Sequence, residues 1–345
     1  KYDYLFGEDA GNKFFAYRPS MIPNKDLGWE ISRTANFGVD FGLWNNRISG
    51  YIEGYITKTS DLLMERTLPF FTGFSKVWQN IGKTENKGIE LNIQANTLKT
   101  KSFSWETTVT FARNWNKITE LLGGGDIRNN SWFIGKPLQV HYNYEMIGVW
   151  QLGEEKEAQK YGAIPGDIKV KDQNNDGSIG ELDKVILGQK DPKIIASLLN
   201  SFRFGAFDAS INLNMNFGSL IHPNTYASLI TRDGLRWMPS NFKYWTPDNP
   251  TNEYTRADKL SGYDPFAGTG GYMKGDYIKI QDITLGYDFS KIMPKNWKIL
   301  RARLYAQVRN LGYIYKACKN DVSPEAPDFD YNIPTTYTMG INIDF

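Results

Sequence analysis

Apolar and polar residues alternate along most of this chain, down to its last stretch. In "YTMGINIDF" (337–345), Tyr337, Met339, Ile341, Ile343 and Phe345 fill one set of alternate positions, and Thr338, Gly340, Asn342 and Asp344 fill the other. A period of two marks a strand with one apolar face. Over 34–44, Phe37, Val39, Phe41 and Leu43 oppose Asn36, Gly38, Asp40 and Gly42; over 47–57, Ile48, Ile52 and Ile56 oppose Ser49, Tyr51, Glu53 and Tyr55. Over 87–97, Ile89, Leu91, Ile93 and Ala95 oppose Glu90, Asn92 and Gln94, and over 103–115, Phe103, Trp105, Thr107, Val109 and Phe111 oppose Ser104, Glu106, Thr108 and Thr110. Residues 193–204 read as a strand with a less decided face, whereas 207–217 set Phe207, Ala209, Ile211, Leu213 and Met215 against Asp208, Ser210, Asn212 and Asn214. In 276–289 the parity slips near Gln281-Asp282, which predicts a bulge. Over 299–310, Leu300, Ala302, Leu304, Ala306 and Val308 oppose Arg301, Arg303, Tyr305 and Gln307, and 336–345 is the ninth strand. The helical signal is "EEKEAQK" (154–160), two turns inside a loop.

The connections alternate in length. Short turns fall at 45–46, 98–102, 205–206 and 290–298, and long segments at 58–86, 116–192, 218–275 and 311–335. Structureless loops of that length are uncommon in compact soluble domains. Short turns at one rim and long loops at the other are what a transmembrane antiparallel β-barrel shows. Most spans reach ten residues, enough for a tilted strand to cross the hydrocarbon. Trp44, Trp115, Trp297, Tyr337 and Phe345 sit near strand ends, where interfacial aromatic rings belong. Lipid is the expected neighbour of Phe37, Leu91, Ile93, Val109, Leu213, Leu304 and Ile341. The competing reading is a secreted β-protein, a glycan-active enzyme or carbohydrate-binding module, with the same rings in its core.

Composition narrows the choice. The chain is 345 residues long, 41% hydrophobic and 14% aromatic, yet its mean hydropathy is −0.48, so the apolar residues are diluted by alternation rather than gathered in runs. No apolar run approaches the ~18–20 residues of a membrane helix, a test that barrel strands escape. A net charge of +2 gives no reason to expect nucleic acid as a partner. Cys318 is the single cysteine, which excludes an intrachain disulfide, and the first residues carry no basic-then-apolar leader pattern.

Six stretches together carry a resemblance: "NKDLGWEISRTANFGVDFGLWNNRISGYIEGY", "NIGKTENKGIELNIQAN", "PGDIKVKDQNNDGSIGELDKVILG", "NFKYWTPDNP", "GDYIKIQDITLGYDF" and "LRARLYAQVRNL". In this order they resemble the C-terminal barrel portion of the SusC/RagA family of TonB-dependent outer-membrane transporters of Bacteroidota, with mild departures at Gln139 and His141. The resemblance implies import of a bulky nutrient, an oligosaccharide or peptide, across the outer membrane. It also implies a plug domain in the lumen, TonB as the source of energy, and a SusD-like surface lipoprotein as a lid. "TMGINIDF" is similar to the terminal signal of barrel assembly, so the apolar face of the last strand is expected to press on lipid. Plugged transporters of this kind close with about 22 strands. Nine strands therefore imply a larger barrel whose plug and earlier strands precede residue 1.

One constellation suggests a metal. "DQNNDGSIGELD" fits a twelve-residue calcium loop, with Asp172, Asn174 and Asp176 at positions one, three and five, Gly177 at the sharp turn, the Ser178 carbonyl at seven, and Asp183 where glutamate is usual. Without a flanking helix pair it reads as a structural Ca²⁺ staple in the longest loop. His141 and His222 are too few and too separated in sequence for zinc or triad chemistry. "GTGGYMKGD" lacks the spacing of a phosphate loop, and no carboxylate pair can be assigned, so no catalytic residue is expected. Trp132, Trp237, Tyr244 and Trp245 are candidates for stacking on substrate; packing within the loops is the plainer role for such rings.

Overall fold

The computed structural model describes residues 2–9, 12–19, 22–74, 76–231, 243–256, 266, 268–290, 292–294, 299–319, 322–328 and 333–345. Strands β1 (Tyr2–Asp9) and β2 (Asn12–Pro19) form a hairpin that the alternation did not reveal. Then come the long strands β3 (Ile31–Leu43), β4 (Ile48–Thr67), β5 (Lys76–Lys99) and β6 (Phe103–Leu121). Short elements follow: β7 (Val140–Tyr144), β8 (Met146–Val149), α1 (Glu155–Lys160), β9 (Ile168–Val170) and β10 (Lys184–Gln189). Strands β11 (Ile194–Phe204) and β12 (Phe207–Phe217) precede β13 (Leu220–Ile221), α2 (Asn224–Thr231) and β14 (Met273–Lys274). Strands β15 (Tyr277–Asp288), β16 (Arg301–Lys316) and β17 (Thr336–Asp344) end the chain.

Nine strands form one sheet in the order β17-β16-β15-β12-β11-β6-β5-β4-β3, so each long strand pairs with the next one in sequence. These are the nine strands the alternation predicts. Within this sheet β3 and β17 pair on one side only, so the barrel it describes is partial and not closed. The expected boundaries need correction. Residues 58–67 and 76–86 are not loop but extensions of β4 and β5, and β6 and β16 also run past their predicted ends. A strand ladder needs only backbone amides and carbonyls, so it continues where the side-chain alternation fades. The Trp44-Asn45-Asn46 turn is tight, with all three residues at positive φ (51°, 56° and 60°). Trp297 lies outside the described residues.

The chain divides into two compact units. One comprises Lys1–Phe37, Gly54–Ile89 and Asn114–Val140; its buried centre holds Met64, Val77, Ile81, Ile118, Leu121 and Phe133. The other comprises Gly38–Glu53, Glu90–Arg113 and His141–Phe345. Here register sorts side chains into two faces. One row across six strands is Trp105–Phe202–Ala209–Leu285–Ala306–Met339. The adjacent row, one residue along each strand, is Glu106–Ser201–Ser210–Thr284–Gln307–Thr338. Successive residues of a strand point to opposite sides, so the first row is on an apolar face and the second on a polar one. Tyr337, Met339 and Phe345 are 74%, 78% and 83% exposed, so much of the apolar face of β17 stays uncovered among the described residues.

Candidate functional site

Polar pairs cross the polar face from strand to strand. Thr110 and Ser197 share a hydrogen bond (2.5 Å), Asn212 donates to Asp282 (3.2 Å), and Asn216 donates to the Tyr277 hydroxyl (2.8 Å). Arg303 grips Asp208 with two donors, Nε to Oδ1 at 2.9 Å and Nη2 to Oδ2 at 2.5 Å, a bidentate geometry that fixes both planes. Beside it the Tyr305 ring lies across Gly340: a Cβ built on Gly340 would come within 2.6 Å of that ring. The small residue in the last strand is therefore the seat of a neighbour's aromatic side chain.

The bulge in β15 decides what this face carries. Register shifts at Ile280/Asp282 against β16 and at Asn212/Leu213 against β12, leaving Gln281 outside the pairing, where the parity slip placed it. Below the bulge, Leu285 and Ile283 lie on the apolar face; above it, Tyr277 and Lys279 pair with Asn216 and Asn214 on the polar one. Lys279 is 3% exposed, and Glu325 from the segment after β16 meets it at 2.6 Å. Tyr313 donates to the same carboxylate at 2.8 Å and Tyr277 at 3.4 Å. A buried ammonium is tolerable only when paired and hydrogen-bonded, and this carboxylate with its phenols supplies both. Without the bulge, Lys279 would stand among Ile283 and Leu285.

The connecting segments are also built, not slack. Tyr226 of α2, Cys318 and Val322 form a buried cluster with Ile221, Tyr254 and Met273 packed against it. Burial raises the Cys318 thiol pKa, so the lone cysteine is a small apolar filler. Asp328 accepts from the Asn224 amide at 2.7 Å, capping α2 from over a hundred residues away in sequence. The two histidines, read as too separated for joint chemistry, in fact meet: their ring centroids are 6.3 Å apart, with the Tyr272 ring 5.1 Å from His141 and 4.2 Å from His222. Nε2 of His141 bonds the Leu220 carbonyl and Nε2 of His222 the Gly270 carbonyl, so each ring donates to backbone. Burial, with Lys190 and His222 nearby, holds the His141 pKa below its ordinary value despite the Leu220 bond.

The loop 172–183 folds around its own carboxylates. Asp172 accepts from the Asn175 and Gly177 amides at 2.7 and 2.8 Å, Asn174 from Asp176, and Asp176 from Ser178. Asn175 (φ 59°) and Gly177 (φ 84°) make the sharp turn that position six requires. The Ser178 hydroxyl, then Asn174, lowers the Asp176 pKa. Over 172–178 the side-chain oxygens thus cap the amides of their own turn. Asp183 is buried, and its two oxygens accept from the Gln173 and Gly180 amides at 2.8 Å each. Among the described residues no three His, Cys, Asp or Glu side chains are grouped as a metal site.

Comparison with known proteins accounts for the two-faced sheet. The profile of the family described as "TonB dependent receptor-like, beta-barrel" matches residues 3–311. The chain belongs to the TonB-dependent receptor β-barrel family. It is 27% identical to TonB-dependent receptor P26 of Formosa agariphila over 95% of this chain and 36% of that one, and 28% identical to TonB-dependent receptor SusC of Bacteroides thetaiotaomicron over 99% and 34%. The solved RagAB peptide transporter superposes with a TM-score of 0.76 at 20% identity, over 100% of this chain and 38% of that one, which establishes a shared fold. This chain thus spans about a third of the length of the curated relatives it matches and corresponds to their barrel portion. Members of this receptor family are outer-membrane proteins, which sets aside the secreted alternative.

Within this receptor barrel the aromatic candidates separate. Trp245 is 6% exposed and its indole N–H is spent on Gln151 (2.9 Å), so it packs the loops and offers no ring face to a ligand, against the expectation of substrate contact. Tyr244 is half-buried and stacks edge-on to Tyr254. Trp132 is half-buried beside its bridge to Ile127, and Trp237 lies outside the described residues. Sequence reasoning missed Lys279, Glu325 and Tyr313. The parity slip at Gln281 was their one visible signal, and nothing local marks Glu325 as their partner.

Proposed function

We propose that this chain forms part of the wall and outer loops of a TonB-dependent importer of a bulky nutrient, an oligosaccharide or peptide. It would work with TonB and with a SusD-like surface lipoprotein as lid. The observation that carries the reading is the pair of adjacent six-strand rows, one apolar and one polar. In a membrane barrel the apolar row meets lipid and the polar row lines the interior. Turns 45–46, 98–102, 205–206 and 290–298 then lie at the periplasmic rim, and the loop lobe faces outward. Phe37, Leu91, Ile93, Val109, Leu213, Leu304 and Ile341 touch lipid. The reading assigns no catalytic residue, since the work is selection and passage. Uptake of fluorescent oligosaccharides and of fluorescent peptides by intact cells, with and without the full-length receptor, tests it. Loss of one class on deletion, restored by the intact gene, is the expected result; unchanged uptake of both and an unchanged nutrient range overturn it.

We infer that loop 172–183 takes Ca²⁺ as a structural staple, through Asp172, Asn174, Asp176 and the Ser178 carbonyl. Asp183 would join by exchanging its two amide bonds for the ion. The fit over 172–178 supports this and the posture of Asp183 weakens it. Limited proteolysis of the full receptor with calcium and with chelator is the test. Protection by calcium that Asp172→Ala abolishes is expected, and identical digestion in all four conditions ends the idea.

A further inference from the structure

Strands β4, β5 and β6 are 20, 24 and 19 residues long, about twice the ~9–11 residues a tilted strand needs to cross the hydrocarbon. The surplus carries different chemistry on the same alternate positions. Along β5, Ala95, Ile93, Leu91 and Ile89 are followed by Lys87, Glu85 and Lys83; along β4, Ile48, Ile52 and Ile56 are followed by Lys58. Along β6, Val109 and Phe111 are followed by Arg113, Trp115 and Lys117, and along β3, Val39 and Phe37 by Ala35, Arg33 and Ile31. On each of four consecutive strands at least one basic residue thus follows the apolar run on the same alternate positions.

In the unit that holds these ends the cations converge. Glu85, with 12% of its side chain exposed, has Lys87 and Lys117 at 3.2 Å and Lys58 at 3.9 Å. Lys83 pairs with Glu120 at 2.7 Å. A groove of about 730 Å³ is lined by Ile31, Ala35 and Ile56 on its apolar side and by Arg33, Lys58 and Lys87 on its charged side. Glu85 is thus one carboxylate among three lysines, with Arg33 lining the same groove. Three lysines around one carboxylate leave two positive charges in excess, and their side chains stay 48–72% exposed. The arrangement suits a further anion, and the adjoining Ile31 and Ile56, 46% and 42% exposed, suit an alkyl chain. A soluble anion would use only half of this groove.

We propose that the groove binds a phosphorylated glycolipid of the surrounding outer leaflet, with its phosphate at Lys58 and Lys87, Lys117 adjoining them across Glu85, and an acyl chain along Ile31, Ala35 and Ile56. The choice of leaflet rests on the reading that these strand ends face outward. Charge complementarity and continuity with the lipid-facing positions of the same strands argue for lipid over a soluble partner.

The test uses the full-length receptor in detergent and native mass spectrometry of retained monophosphoryl lipid A, with the dephosphorylated lipid as control. Removing each lysine near an anionic headgroup weakens binding about fivefold, so Lys87→Gln with Lys117→Gln is expected to reduce affinity roughly 30-fold. Glu85→Gln removes the competing carboxylate and is expected to strengthen retention, an effect that misfolding would not produce. Equal retention of phosphorylated and dephosphorylated lipid, indifference to both sets of substitutions, or complete displacement by inorganic phosphate would each overturn the proposal. Phe71 is exposed in the turn between β4 and β5, and labelling of Phe71→Cys by a membrane-impermeant maleimide on intact cells checks the orientation separately. Labelling together with unchanged retention condemns the glycolipid site alone; absence of labelling removes the outward reading and the outer-leaflet assignment with it.

Discussion

Lys279 shows how one side chain reports on the fold around it. It is almost wholly buried on a membrane strand and ion-paired with Glu325. Removing one partner of a buried pair costs ~3–5 kcal/mol, and Glu325 is 22% exposed, which places Glu325→Leu toward the lower end. The double variant Lys279→Met/Glu325→Leu should recover much of that loss, and a thermal-unfolding cycle of the full receptor would show the coupling. A different sensitivity sits at His141. Its folded pKa lies below the ordinary ~6.5, so the unfolded state binds the proton more readily. The stability it contributes is present above ~6.5 and is lost as pH falls through the depressed folded value. Lys190 and His222 are the charged or titratable neighbours that oppose its protonation, and Tyr272 packs on its ring. Proteolysis of the loop lobe should therefore accelerate from pH 7.5 to pH 5, and His141→Gln should flatten that dependence; equal rates at both pH values in the unsubstituted receptor would refute the device.

At the scale of elements, the bulge in β15 is the feature on which the polar face turns. A one-residue change of register moves every following side chain to the other face. Deleting Gln281 should carry Tyr277 and Lys279 to the apolar side, placing an ammonium against lipid, whereas Gln281→Ala keeps the extra residue and should be tolerated. Heat-modifiability of the assembled receptor on gels separates the two: the deletion is expected to lose the folded band and the substitution to keep it. The second element is α2. Its eight residues are too short to be stable alone, and it stands because Asp328 caps it and Tyr226 is buried against Cys318 and Val322.

For the molecule as a whole, the free edges set the requirement. Strands β3 and β17 pair on one side, and unpaired backbone groups in hydrocarbon cost several kcal/mol each. In the membrane both edges need further strands, in keeping with relatives of which this chain spans about a third. Amide hydrogen exchange gives the comparison. In the full-length receptor the outer-edge amides of β3 and β17 should be protected as well as those of β11 and β12. In this segment produced alone they should exchange within the fastest class; equal protection in both would mean that the nine strands satisfy their own edges.

Alternation alone determined the nine strands, their order of pairing and which residues share a face, because a period of two is written locally and each strand pairs with its sequence neighbour. The bulge was legible for the same reason, as a break in parity at Gln281. The sharp turn at 172–178 was legible too, since each of its bonds joins residues within five positions. Four features were decided by tertiary structure alone: the strand extensions through 58–67 and 76–86, the capping of α2 by Asp328, the meeting of His141 with His222, and the pairing of Lys279 with Glu325. Each joins residues far apart in sequence or continues a ladder whose backbone bonds leave no mark on side-chain pattern. Trp245 belongs with them, since whether a loop ring faces a ligand or fills a core depends on neighbours such as Gln151, nearly a hundred residues away, that no local pattern names.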